Sequence, residues 1–197
     1  MDEIDSFWKL IEECRRQVEG PEERLTWLRG ELCRRSPAEA VQFQERLDEV
    51  RREAFTWDLW AAADRIFGGW CSDDGFSYFR LWMVGLGREA FSAAVAAPDA
   101  LAGTPEVQRL VGRPRNAWGD DWPGWESLDH VAMEVYGLLT DSADDCGEAY
   151  YQALNAVAGD TPGSTGPLGE QWDVRCETDS AHRLPALSAM FPLRPPL

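Results

Sequence analysis

Lysine is all but missing from this chain: of its 19 basic residues, only Lys9 is not an arginine. Basic residues are few altogether. Against them stand 35 acidic residues in 197, for a formal net charge of −16. A chain this poor in cations has no basic footprint, which argues against binding the nucleic acid backbone and against docking on an anionic membrane surface. Histidine is scarce as well, with only His130 and His182. The five cysteines are an odd number at irregular spacing with no C-x-x-C, so they read as reduced thiols of a cytoplasm and not as a disulfide framework. The opening MDEIDSFWKL is acidic and has no apolar core, so no secretory leader is expected. No run approaches the roughly 20 apolar residues that a membrane-spanning helix requires. Gly85-Leu86-Gly87 is too short for a phosphate loop, and there is no G-x-S-x-G elbow, no H-E-x-x-H and no kinase signature. No cofactor is therefore expected, and neither an internal repeat nor a strand pattern is present.

What the chain does have is helical periodicity. Its hydrophobic content of 44% suits a globular protein. Phe7, Ile11, Cys14 and Val18 recur at helical spacing behind Asp5 or Ser6 as a cap. Pro21 opens a second helix through Leu25, Leu28 and Leu32. Ser36-Pro37-Ala38-Glu39 is a capping box for a third through Val41, Phe43, Leu47 and Val50. Thr56 caps a fourth helix from Trp57 to Phe67, stopped by Gly68-Gly69. Ser72-Asp73-Asp74 caps a fifth, which is apolar around most of its circumference and so is expected at the centre. A sixth falls between Gly87 and Pro98, a seventh from Trp125 to Leu139, and an eighth from Asp144 to Ala156. The expected fold is all-α, a helical bundle around the apolar helix at about 73–87, with a Trp-rich loop and an irregular C-terminal tail. One domain would span 1–156, a Gly/Pro linker 157–169, and a tail packing on or extending the domain 170–197.

Four sets of residues could carry chemistry. Arg80 sits inside the most apolar helix, where a guanidinium needs a partner. At about 100° per residue it shares a side with Asp73, and Asp64 on the Trp57/Trp60 stripe is a second possible partner. The plainer outcome is a structural Arg–Asp pair. The functional one is a ligand pocket of Trp60, Asp64, Asp73, Asp74, Arg80 and Trp82, with Arg80 holding an anionic group. Cys71 precedes a helix start but has no histidine near it in sequence, so it reads as inert. Trp118, Asp120, Asp121, Trp122 and Trp125 could form a surface for a cationic partner, or a loop packing its own rings. Glu126, His130 and Glu134 fall at i, i+4 and i+8, which makes them weak metal candidates on a face turned to solvent. Acidity also concentrates: residues 113–197 hold 14 acidic against 5 basic residues, −9 of the −16.

Several strings resemble the bacterial domain-of-unknown-function family 4240. They are Phe7-Trp8-Lys9-Leu10-Ile11, Trp57-Asp58-Leu59-Trp60, Cys71-Ser72-Asp73-Asp74-Gly75-Phe76-Ser77-Tyr78-Phe79-Arg80-Leu81-Trp82, Ala97-Pro98-Asp99-Ala100-Leu101-Ala102, Gly169-Glu170-Gln171-Trp172-Asp173 and Leu184-Pro185-Ala186-Leu187. The chain departs at Val84-Gly85, where the family keeps a larger apolar residue. The resemblance implies a cytoplasmic bacterial protein of a kind common in actinobacteria, and carries over no catalytic residue. Three expectations follow. The first is a non-catalytic interaction module for a basic peptide or protein. The second is an enzyme with its pocket at the Asp73–Arg80 helix. The third is an immunity- or antitoxin-like protein that masks a basic face.

Overall fold

The computed structural model describes residues 3–141, 147–157 and 166–193. Among these the chain is all-α, and no strand forms; one isolated parallel bridge joins Thr56 and Leu168. The helices are α1 (Glu3–Gln17), α2 (Pro21–Leu32), α3 (Pro37–Glu53), α4 (Trp57–Ile66), α5 (Asp73–Gly85), α6 (Arg88–Ala96), α7 (Pro105–Gln108), α8 (Val131–Thr140), α9 (Glu148–Val157), α10 (Glu177–Arg183) and α11 (Pro185–Met190). Short 3-10 turns fill Pro98–Gly103, Arg115–Ala117, Gly119–Asp121 and Glu126–Asp129. Of the Gly/Pro segment 157–169, residues 158–165 lie outside the described residues, as do the first residues proposed for the eighth helix, 144–146. No helix among the described residues is long and apolar enough to cross a membrane.

The chain clusters into two compact units, Met1–Arg52 with Trp125–Ser164 and Glu53–Gly124 with Thr165–Leu197. The first is built on the apolar faces of α1, α2, α3 and α8. Phe7 packs on Phe43 at 5.3 Å, and Ile11, Leu28, Leu32, Leu47, Val131 and Val135 are buried. The capping box forms at the head of α3: Glu39 N–H donates to Ser36 Oγ at 3.3 Å, and Ser36 N–H to Glu39 Oε2 at 2.9 Å. Ser36 N–H and the Ser36 hydroxyl, which donates to Glu39 Oε2 at 2.8 Å, hold the Glu39 carboxyl below its ordinary range. Two expectations shift here. Helix α1 already runs from Glu3, so Asp5 and Ser6 lie within it and do not cap it. The helix expected over 125–139 is broken, with a 3-10 turn at Glu126–Asp129 and α8 beginning at Val131. On α8, Val131, Ala132 and Val135 are buried, whereas Leu138 is exposed.

The second unit carries α4 to α7 and the C-terminal segment. Thr56 caps α4 through Leu59 N–H and Ser72 caps α5 through Gly75 N–H. Helix α5 buries Phe76, Phe79, Leu81, Met83, Val84 and Gly85, while Tyr78, Arg80 and Trp82 are half-buried. The tail is not irregular. It forms α10 and α11, whose Leu184 and Leu187 are buried. Six- and seven-residue helices are too short to hold alone, so tertiary contacts make them. Asp99 accepts hydrogen bonds from Ala186 N–H and Leu187 N–H at 3.0 and 2.8 Å, capping α11 from the Pro98–Gly103 turn. Arg65, 1% exposed, fastens the same segment from α4. Its guanidinium donates to the carbonyls of Val174 and Ser188 at 3.3 and 3.2 Å and pairs with Glu177 at 3.3 Å.

Candidate functional site

Helix α4 presents Trp57, Trp60, Ala61 and Asp64 at i, i+3, i+4 and i+7, one stripe of a 3.6-residue helix. That stripe lines a cavity of about 530 Å³ in the second unit. Gly68 and Gly69, at φ of 77° and 104°, turn the chain out of α4 in the left-handed region that glycine tolerates. The turn sets Trp70 at the cavity, 67% exposed, and brings Cys71, Ser72, Asp73 and Asp74 in beside it. Gln171 and Trp172 of the C-terminal segment complete the lining. Three of the strings that carry the family resemblance, at 57–60, 71–82 and 169–173, therefore meet at one cavity.

Rings hold the wall rigid. Trp60 stacks on Trp57 at 5.4 Å and on Phe76 at 4.7 Å. Its Nε1–H donates to Cys71 O at 3.2 Å, tying α4 to the start of α5. Trp172 Nε1–H donates to Asp58 Oδ1 at 2.8 Å. Asp64 accepts from Cys71 N–H at 2.5 Å. Burial outweighs that bond and the nearby Arg175, and pushes the Asp64 carboxyl up to about 6. Burial, reinforced by the Asp64 charge, pushes the Cys71 thiol up to about 12, so it carries no thiolate at neutral pH. No lining residue is basic.

The Asp64 shift has a consequence for stability. The folded state holds a proton there that the unfolded chain has already lost above about pH 4. The contribution is thus present below that value and is lost as pH rises through 6. Asp64→Asn keeps an oxygen for Cys71 N–H but cannot ionise. Its stability is expected to vary less than the parent's between pH 4 and pH 7, and to exceed the parent's at pH 8. Urea unfolding across that range checks this, and parallel pH profiles for the two proteins would contradict it.

Of the proposed pocket residues, Trp60, Asp64, Asp73 and Asp74 line the cavity together; Arg80 and Trp82 are not in its lining. The Arg80 guanidinium lies over the Phe55 ring at 4.5 Å and the Phe76 ring at 5.3 Å, and Trp82 packs on Phe79 at 5.2 Å. The Trp-rich loop packs its own rings. Trp118 is buried and touches Phe67 and Trp122 at 6.1 and 5.4 Å, and Trp122 reaches Phe67 at 5.2 Å. Asp121 is already paired with Arg109 and Arg113 at 3.0 and 2.7 Å, while Asp120 is exposed. Trp125 is buried and belongs to the first unit. Glu126 lies in the 3-10 turn, His130 at the head of α8, and Glu134 pairs with Arg29. These three do not share a helix, and no group of metal-ligating side chains occurs among the described residues. A second cavity, of about 580 Å³ in the first unit, mixes Lys9 and Arg35 with Glu13 and Glu31.

Sequence reasoning missed Trp57, Trp70, Gln171 and Trp172 as parts of the site. The string at 169–173 was the available signal for the last two. No curated protein matches the chain, and no solved structure does. A family model matches residues 1–137, which hold every lining residue except Gln171 and Trp172. The chain belongs to the family described as Protein of unknown function (DUF4240).

Proposed function

We propose that the protein is a non-catalytic binding module whose tryptophan-walled acidic cavity receives a cationic group presented by a basic peptide or protein. The observation that carries this is the lining itself: Trp57, Trp60, Trp70 and Trp172 with Asp64, Asp73 and Asp74, and no basic residue. Indole is the best ring for a cation, and the attraction grows when the ion is desolvated. An exposed tryptophan at the rim supplies contact area at little entropic cost. Asp64 adds a carboxylate whose charge is costly while the site is empty and is compensated when a cation enters. An anionic ligand would find no basic side chain in the lining. Support for binding over group transfer comes from the two best nucleophiles in the lining. Cys71 is held as a thiol, and Ser72 Oγ is engaged as the cap of α5.

The test is titration of the intact protein with an arginine-containing peptide, followed by tryptophan fluorescence and calorimetry at low and high salt. Saturable binding that weakens with salt is expected. Asp64→Asn should weaken it at least about tenfold, or about 1.4 kcal/mol. The advantage of the parent should fade as pH falls through 6, where Asp64 takes up its proton. Absence of saturable binding at low salt, or equal binding by Asp64→Asn at pH 8, overturns the proposal.

A further inference from the structure

The cavity is not made by α4 and α5 alone. Its last wall, Gln171 and Trp172, comes from the C-terminal segment, which lies beyond the residues that the family model matches. Resting on the cation-binding reading above, we infer that Trp172 is the specificity-determining residue of the site and that Asp58 positions it.

The argument starts from which rings can still offer a face. Trp60 is engaged by two rings, stacked on both Trp57 and Phe76. Trp57 shares one of its faces with Trp60. Trp70 is exposed at the rim on a turn between two left-handed glycines and α5. Trp172 differs from all of these in being held by a charged group. Its indole N–H ends on Asp58 Oδ1, and the same oxygen pairs with Arg183 at 3.1 Å. The Arg183 guanidinium in turn sits 5.3 Å from the centre of the Trp172 ring. Asp58, Trp172 and Arg183 thus form a closed set that fixes the plane of the indole, and the chain itself shows this ring accepting a guanidinium beside a carboxylate. A ring fixed in plane discriminates by shape. A flat guanidinium stacks on it, whereas a tetrahedral ammonium makes a poorer contact.

The segment does not depend on Trp172 for its place. Leu168 bonds to Phe55 and Trp57 on one side through backbone groups at 2.8 and 2.9 Å. Arg65 holds Val174 and Ser188, Ser180 Oγ donates to Val174 O at 2.6 Å, and Asp99 caps α11. Removing the indole therefore removes a wall and leaves the anchors standing.

The experiment compares two probes, arginine amide and tetramethylammonium, by calorimetry on the full chain and on Trp172→Ala, Trp172→Phe, Asp58→Ala and Asp64→Asn. Hydrogen exchange of residues 166–193 reports in parallel whether the segment remains docked. The expected result is that Trp172→Ala weakens arginine amide about tenfold and tetramethylammonium about two- to threefold, so the ratio between probes falls. Exchange protection around Arg65's acceptors stays as in the parent. Trp172→Phe, which keeps a ring but loses the N–H to Asp58, should recover part of the affinity and little of the ratio. Asp58→Ala should lower the ratio with its ring intact, an effect that general loosening would not give. If Trp172→Ala binds both probes as the parent does while Asp64→Asn loses them, the role of Trp172 is overturned and the cation reading stands. If Asp64→Asn also binds both probes as the parent does, or the parent binds neither, the cation reading falls and takes this inference with it.

Discussion

Replacing Arg65 by methionine should destabilise the second unit by about 3–5 kcal/mol, through the acceptors it strands and not through the charge it deletes. The guanidinium is 1% exposed and its two backbone acceptors, Val174 O and Ser188 O, lie on the C-terminal segment. Methionine fills much of the same space but donates nothing. Ser188 O then loses that donor, at about 1–3 kcal/mol, and Val174 O, which keeps the Ser180 hydroxyl, loses a charged hydrogen bond of about 1.5–3 kcal/mol. The ion pair itself is a minor part, because Glu177 is 66% exposed and an exposed partner is worth under about 1 kcal/mol. The matched variant Glu177→Gln should therefore be nearly silent. Thermal unfolding separates the two: a fall in melting temperature on the order of 10 °C for Arg65→Met and at most a few degrees for Glu177→Gln. If both variants cost the same, the ion pair and not the carbonyls would be the anchor.

Phe76→Ala should be about as damaging, again near 3–5 kcal/mol, and should reach the cavity as well. Phe76 is 1% exposed, with Trp60 stacked on it at 4.7 Å, Phe55 at 6.2 Å and Phe79 at 6.5 Å, and the Arg80 guanidinium 5.3 Å from its ring. Truncation opens a void behind Trp60, which loses the support of one face. Phe76→Leu keeps most of the apolar volume and is expected to cost about 1.5 kcal/mol. Urea unfolding measures the stability of both variants, and near-ultraviolet circular dichroism reads the environment of Trp60. An alanine variant less than about 1 kcal/mol below the parent would show that the void collapses and that this ring is not a structural centre.

The first six helices were legible because their stop and start signals are local. Ser36 with Glu39, Thr56, Ser72 and Gly87 each act within three or four residues of themselves. Four of the eleven lining residues were legible for the same reason: Trp60 and Asp64 share one stripe of α4, and Asp73 and Asp74 follow the Ser72 cap. What failed was non-local. Arg65 ties α4 to the C-terminal segment, whereas the sequence pattern draws attention to Arg80 on the more apolar helix. The acceptors of Arg65 include backbone carbonyls, which leave no mark in a side-chain pattern, and they are 109 and 123 residues away. Helical angles within α5 suggested Asp73 beside Arg80, but such angles omit Phe55, which supplies the ring beneath the guanidinium from ahead of α4. Trp172 meets the N–H acceptor Asp58 across 114 residues of sequence, which no local pattern records.

The interleaving of the two units also has a kinetic meaning. The chain leaves the first unit after Arg52, lays down residues 53–124 of the second, returns for 125–164, and goes back at 165. Neither unit is contiguous, so neither can close as it emerges during synthesis. Helix α4 is made with Arg65 still hydrated, and the carbonyls it will bind follow more than a hundred residues later. Each of those hydrogen bonds closes a loop of more than a hundred residues, whose entropy is lost before the bond rewards it. The stack of Trp57, Trp60 and Phe76 lies wholly within residues 53–124 and so can form before the C-terminal segment is made. The cavity wall formed by Trp172 is thus among the last features to arrive, and binding competence marks the end of folding.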